Sequence, residues 1–145
     1  MFKRNVQLDL QSMLVEFQEA YTRLALKLPT STRGLDHQMS AILTARQRLV
    51  KLHRQVQHYL RKDIPPQMRQ QLHTLLHGTG DLLHIAENLT MLAEEYPIDP
   101  DGSIACLQGV NSRKATLLQQ MQRSLATRPT GSLSSLNADM IASHS

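Results

Sequence analysis

Cysteine is almost missing from this chain. Cys106 stands alone in 145 residues, so no intrachain disulfide can form, and a reducing, cytoplasmic setting is the expectation. Tryptophan is absent and aromatic residues make up 3% of the sequence. That scarcity argues against sandwiches and barrels, whose strands draw on aromatic and β-branched side chains in alternation. No apolar run approaches the roughly 20 residues a membrane-spanning helix needs. The opening Met1-Phe2-Lys3-Arg4-Asn5-Val6-Gln7 lacks an uninterrupted signal-peptide core, so neither a leader nor a direct membrane span is expected. The charge excess is also small: 16 Lys+Arg against 12 Asp+Glu gives +4. Such a balance permits contact with nucleic acid without indicating it.

What the chain does have is leucine, methionine, alanine and isoleucine at helical spacing, within a hydrophobic content of 41%. The clearest seam runs Met68, Leu72, Leu75, Thr79, Leu82, Ala86, Leu89, Ala93, in steps of three and four along one helix face. It belongs to a helix over 66–96, opened by Pro66, whose missing N–H costs nothing at a first helical position. A first helix over 5–28 carries Val6, Leu10, Met13, Phe17, Tyr21, Leu24 and Leu28, and Pro29 stops it. A second over 35–61 carries Leu35, Met39, Ile42, Arg46, Leu49, His53, Val56 and Leu60. A fourth over 103–127 carries Ile104, Leu107, Asn111, Lys114, Leu118, Met121 and Leu125. The connections are short, which forces neighbours to run antiparallel. The sequence therefore predicts an all-α fold, an elongated antiparallel bundle of four long helices over 1–128. A polar, flexible tail over 129–145, rich in Ser, Ala and Asn, is expected to order only against a partner.

Few residues point to chemistry. His73, His77, Asp81 and His84 share one stripe of the third helix at spacings of four, four and three, the pattern by which a helix presents ligands to a transition metal. The stripe lies about opposite the apolar seam, where solvent reaches it and no second shell forms, so a solvated histidine-rich face is the expectation and no metal or other cofactor is assigned. Gly78-Thr79-Gly80 sits inside a strong helix. Small residues there allow close helix approach or a kink; the alternative is a break at Gly78 with Asp81 opening a new helix. The segment lacks Walker-type spacing and a following lysine. Asp99-Pro100-Asp101-Gly102-Ser103 resembles a calcium loop only faintly, since Val110 stands where the acidic twelfth position belongs, and reads as a turn and an N-cap. Cys106, between Ala105 and Leu107, is expected to be buried and inert. Arg46, Arg48, Lys51, Arg54, Arg61 and Lys62 crowd the second helix as a solvated basic face, without the aromatic platforms of a nucleic-acid binder.

No catalytic triad, Cys/His pair or matched carboxylate pair stands out, and no enzymatic activity is assigned. The polar residues that interrupt seams are the candidate partner-binding positions. Arg46, Asn111 and Lys114 would fix register or partner choice, and His53 is expected as a neutral imidazole hydrogen-bonded across the core.

Two stretches, Leu52-His53-Arg54-Gln55-Val56-Gln57-His58-Tyr59-Leu60 and Asp81-Leu82-Leu83-His84-Ile85-Ala86-Glu87-Asn88, resemble the second and third helices of PhoU-like domains, including the soluble domain attached to sodium/phosphate cotransporters. The resemblance covers about a third of the chain and implies a regulatory helical bundle beside a transporter. Where the family places two acids four apart for metal binding, this chain has Leu83 and Glu87, so only one acid of the pair remains. The functional expectation is a non-enzymatic helical adaptor or regulator that works by protein–protein contact, with a transporter among its candidate partners and a homodimer as one arrangement. The alternative is a small secretion chaperone of the type III or flagellar kind that holds an export client.

Overall fold

A computed structural model describes the backbone of residues 2–126 and the side chains of residues 8–125. The tail expected over 129–145 lies outside the described residues, as does the Val6 side chain. The described chain forms four helices, α1 (Phe2–Arg23), α2 (Thr32–Leu60), α3 (Pro66–Glu95) and α4 (Pro100–Ala126), and has no strand. At 1.5 Å per residue they are about 33, 44, 45 and 40 Å long. Cross-helix contacts fix the directions. Asp9 meets Tyr59 and Glu19 meets Arg48 between α1 and α2; Arg46 meets Glu87 and His53 meets Thr79 between α2 and α3; Gly78 faces Met121, and Met91 and Cys106 line one hollow, between α3 and α4. In each pair one number rises as the other falls, so the bundle is antiparallel throughout.

α3 is the hub. It packs most extensively on α2 and α4, while α1 lies chiefly on α2 and touches α3 lightly. The expected seam is buried from Leu72 to Ala93, with Met68 partly covered. A second stripe shares Leu75, Leu82 and Leu89 with that seam and adds Gln71, Gly78 and Ile85, all buried. Thr79 faces α2 through His53, and Gly78 faces α4 through Met121. The helix runs unbroken through Gly78-Thr79-Gly80, so the glycines serve close approach and not a break. A Cβ built on Gly78 would stand 2.5 Å from Met121 Sδ and 3.4 Å from Phe17 Cε2, which places α1, α3 and α4 together at that level.

Several expected boundaries move, each for a local reason. α1 ends at Arg23, not at Leu28. Leu24 and Leu26 are buried while Ala25 and Lys27 are exposed, a period of two that suits extended chain. Gln38 clasps that segment, accepting from Lys27 N–H at 2.6 Å and donating to Lys27 C=O at 3.3 Å. The Leu28–Pro29 bond is cis. α2 begins at Thr32 because Ser31 caps it, its hydroxyl accepting from Gly34 N–H at 3.1 Å. α4 begins at Pro100, with Asp99 accepting from Gly102 N–H at 3.1 Å, so the turn and N-cap read from Asp99–Ser103 are present. Arg69 completes the set by donating to the carbonyls of Leu60 and Lys62, each at 2.8 Å, where a cation also offsets the α2 dipole.

The seams of α2 and α4 are rotated from those expected. α2 buries Leu35, Ile42, Ala45, Leu49, Leu52 and Val56, and Arg46 is exposed. α4 buries Ser103, Leu107, Val110, Leu117, Met121 and Leu125; Asn111 is exposed, and Ile104 and Leu118 are only partly covered. Arg46 and Asn111 are therefore not core stations. In both helices a small or β-branched residue next door, Ala45 or Val110, takes the inward position, and the larger polar side chain turns to water. Cys106 is likewise exposed, contrary to expectation, because Leu107 fills the inward place beside it.

Three stability effects follow. Nothing lies within 4 Å of a Cβ added at Gly109, so Gly109→Ala should stabilise the fold by about 1 kcal/mol through helix propensity, whereas Gly78→Leu should cost about 1–3 kcal/mol by overpacking against Met121 and Phe17. Ser103 is 2% exposed and its hydroxyl has no hydrogen-bond partner among the described residues, so Ser103→Ala should raise stability by about 1 kcal/mol. Urea denaturation of the three variants measures all of these.

Candidate functional site

Because α3 buries two stripes, its outer edge borders α4 and leaves a trough between the two helices. Three hollows line up along it. One of about 180 Å³ is floored by Gly78, Leu117 and Met121 and reaches Ser124. The next, of about 440 Å³, lies between Ile85 and Leu117 and has Asp81, His84 and Arg113 on its walls. The third, of about 580 Å³, is lined by Met91, Leu92, Cys106, Gly109, Val110 and Arg113. The first two share Asp81, Leu117 and Gln120, and Arg113 joins the last two, so the outer face of the α3–α4 pair is one continuous concavity. Its apolar content is greatest at the far end, where Met91 is 65% exposed, and Ile98, in the turn beyond α3, is 77% exposed. Glu94, Glu95, Asp99 and Asp101 are exposed around that turn.

The histidine stripe falls on the rim of this trough. His73, His77, Asp81 and His84 are all exposed; His77 and Asp81 border the smallest hollow, Asp81 and His84 the middle one, and His73 neither. Among the described residues no three His, Cys, Asp or Glu side chains converge as a metal site. The stripe supplies polar edges to an apolar groove.

The four candidate partner-binding residues are scattered, and three of them are engaged within the chain. Lys114 is half-buried beneath α1: its ammonium donates to the Leu24 carbonyl just past the end of α1 and sits 4.4 Å from the Tyr21 ring centroid. Burial holds the Lys114 amine below, and pushes the Tyr21 phenol above, their ordinary pKa values. His53 Nδ1 lies 2.7 Å from Thr79 Oγ1, and Thr79 also donates to Leu76 C=O at 3.0 Å. A hydroxyl has one proton; with that proton on Leu76, the Nδ1–H of His53 is the donor to Thr79. Arg46 pairs with Glu87 at 3.6 Å, both well exposed. Asn111 is exposed on α4. On the opposite side of the bundle, Ser12, Glu16, Arg48, Lys51, Leu52 and Gln55 line a polar hollow of about 470 Å³ between α1 and α2, where Arg48 reaches Glu19 at 3.9 Å.

The residues that shape the trough were not singled out by spacing. Met91 and Ile98 do carry a signal, since both are large and apolar yet stand off every seam. Val110 and Leu117 were hidden because each neighbours a residue, Asn111 or Leu118, that fits the same three-four stepping.

Compared with known proteins, the chain matches no family model, no curated protein and no solved structure. No described helix is long and apolar enough to cross a membrane.

The two classes of polar seam residue should separate in stability. Lys114→Met leaves the Leu24 carbonyl unsatisfied and should cost about 1–2 kcal/mol, while Arg46→Leu removes an exposed pair and should change stability by less than about 1 kcal/mol. Chemical denaturation at neutral pH compares them.

Proposed function

We propose that this protein is a non-enzymatic helical adaptor or regulator that binds another protein at the far end of the α3–α4 trough. The observation that carries the reading is the hollow of about 580 Å³ lined by Met91, Leu92, Cys106 and Val110, where Met91 stands exposed, with Ile98 exposed in the turn that follows α3. An isolated exposed leucine needs no explanation, but an exposed methionine lining an apolar concavity marks a place where burial is still to be gained. Seating one leucine- or phenylalanine-sized side chain there is worth about 1.5–3 kcal/mol. Methionine adapts its shape to the occupant. The acids at the turn, Glu94, Glu95 and Asp101, favour a partner whose apolar anchor is flanked by Lys or Arg.

The similarity of the α2–α3 segments to PhoU-like domains makes a transporter-associated protein one partner class for this surface. A secretion client is the other, and truncation after Arg128 separates them. A chaperone that delivers through its tail keeps its client and loses export, whereas a bundle regulator loses little.

The test uses the single native thiol. A photoactivatable crosslinker on Cys106 in native cells should capture one partner, and a peptide carrying its crosslinked segment should bind the purified protein. Met91→Asp combined with Ile98→Asp should weaken that binding at least tenfold, and Gln57→Ala on the outer face of α2 should leave it unchanged. Equal affinity for both variants would overturn the reading.

A further inference from the structure

The outer crest of α2 carries a charge pattern that the trough does not use. We propose that this crest docks on an anionic lipid surface through Lys51, Arg54, Arg61 and Lys62. The crest belongs to α2 and the trough to α3 and α4, so this proposal and the partner reading fail separately.

Charge segregation is the first support. Between Asp36 and Asp63 the chain has six basic residues, Arg46, Arg48, Lys51, Arg54, Arg61 and Lys62, and no acid. The remaining ten of the 16 Lys and Arg stand against all 12 acids, so outside this segment the chain is net acidic. Pairing is the second support. Arg46 and Arg48, on the two flanks of α2, reach Glu87 and Glu19 of the neighbouring helices at 3.6 and 3.9 Å. Among the described residues no ion pair engages Lys51, Arg54, Arg61 or Lys62, and the Lys62 ammonium rests 4.9 Å from the Tyr59 ring centroid. Position is the third. At about 100° per residue, Lys51, Arg54 and Arg61 lie about opposite the buried Leu49, Leu52 and Val56, and all three are exposed. Leu43, 41% exposed and three turns before Arg54, shares their face and adds an apolar contact to the cations.

A plane meets such a line of charges all at once, since Lys51 to Arg61 is about 15 Å of straight helix. Duplex nucleic acid fits the crest less well. A major groove about 12 Å wide admits one helix, and α2 has α1 packed on one flank and α3 on the other. Single strands need stacking platforms, and Tyr59, the one Phe, Tyr or Trp between Asp36 and Asp63, is engaged by Asp9 and Lys62.

Each Lys or Arg held at an anionic leaflet strengthens binding about fivefold, and salt screens the attraction. The full chain should therefore sediment with phosphatidylcholine vesicles that contain about one-third phosphatidylserine at about 0.1 M salt, and not with vesicles of phosphatidylcholine alone. Lys51→Gln/Arg54→Gln/Arg61→Gln should weaken that binding about a hundredfold. Arg23→Gln/Lys27→Gln/Arg123→Gln removes the same charge from other exposed positions and should weaken it less than about threefold. Circular dichroism of both variants should match that of the parent, because neither triplet takes a side chain from the core. Equal binding to the two kinds of vesicle, equal loss in the two variants, or tighter binding to a DNA duplex or to polyglutamate than to the anionic vesicles would each overturn the proposal.

Discussion

The position of every other helix depends on α3 burying two adjacent stripes. A helix with one apolar stripe can sit at the edge of a bundle; one with two must be covered on two sides. Thr79 and its stripe face α2, Gly78 and its stripe face α4, and the two partners consequently lie on different flanks of a single rod. α1 then closes over α2 and reaches α3 where Gly78 leaves room for Phe17. The absence of a side chain at Gly78 lets three helices share one level. The roughly 1 kcal/mol that glycine costs an exposed helix is offset there by contact that a larger residue would forbid.

The same geometry sorts the polar groups. Where helices end, long side chains from other elements complete the backbone: Arg69 at the end of α2, Lys114 at the end of α1, Gln38 along the extended link between them. Each spans elements that leucine contacts alone would leave free to slide, because a hydrogen bond has a fixed reach and direction and apolar contact does not. His53 and Thr79 do the same in mid-helix. Polarity inside this bundle is thus tied to register and helix ends, while the outer trough between α3 and α4 keeps apolar surface still open to solvent.

The all-α fold, the four helices and the α3 seam were legible because leucine and alanine recur with little ambiguity on that helix, and because Pro29, Pro66 and Pro100 punctuate the chain. α1 was read too long, since Leu24, Leu26 and Leu28 satisfy a period of two as well as part of a helical stripe, and only the Gln38 clasp decides between them. α2 and α4 were read one position out of phase at Arg46 and Asn111. A stepping of three and four allows either of two neighbouring positions, and the choice between Ala45 and Arg46, or Val110 and Asn111, falls to the cost of burying the polar member. The trough was not legible at all. It is a property of two helices together, of how far apart Gly78 and Met121 let their axes lie and of which side chains stop short of filling the gap.

α1 is tethered unevenly. Its Arg23 end is held by Lys114, by Tyr21 beneath that ammonium and by the clasped link to α2, while toward its start Tyr59 reaches Asp9. The three contacts at the Arg23 end join α1 to α4 through Lys114 and to α2 through Gln38, so the chain between the first two helices is fixed to both of their neighbours where apolar packing alone would fix it to neither.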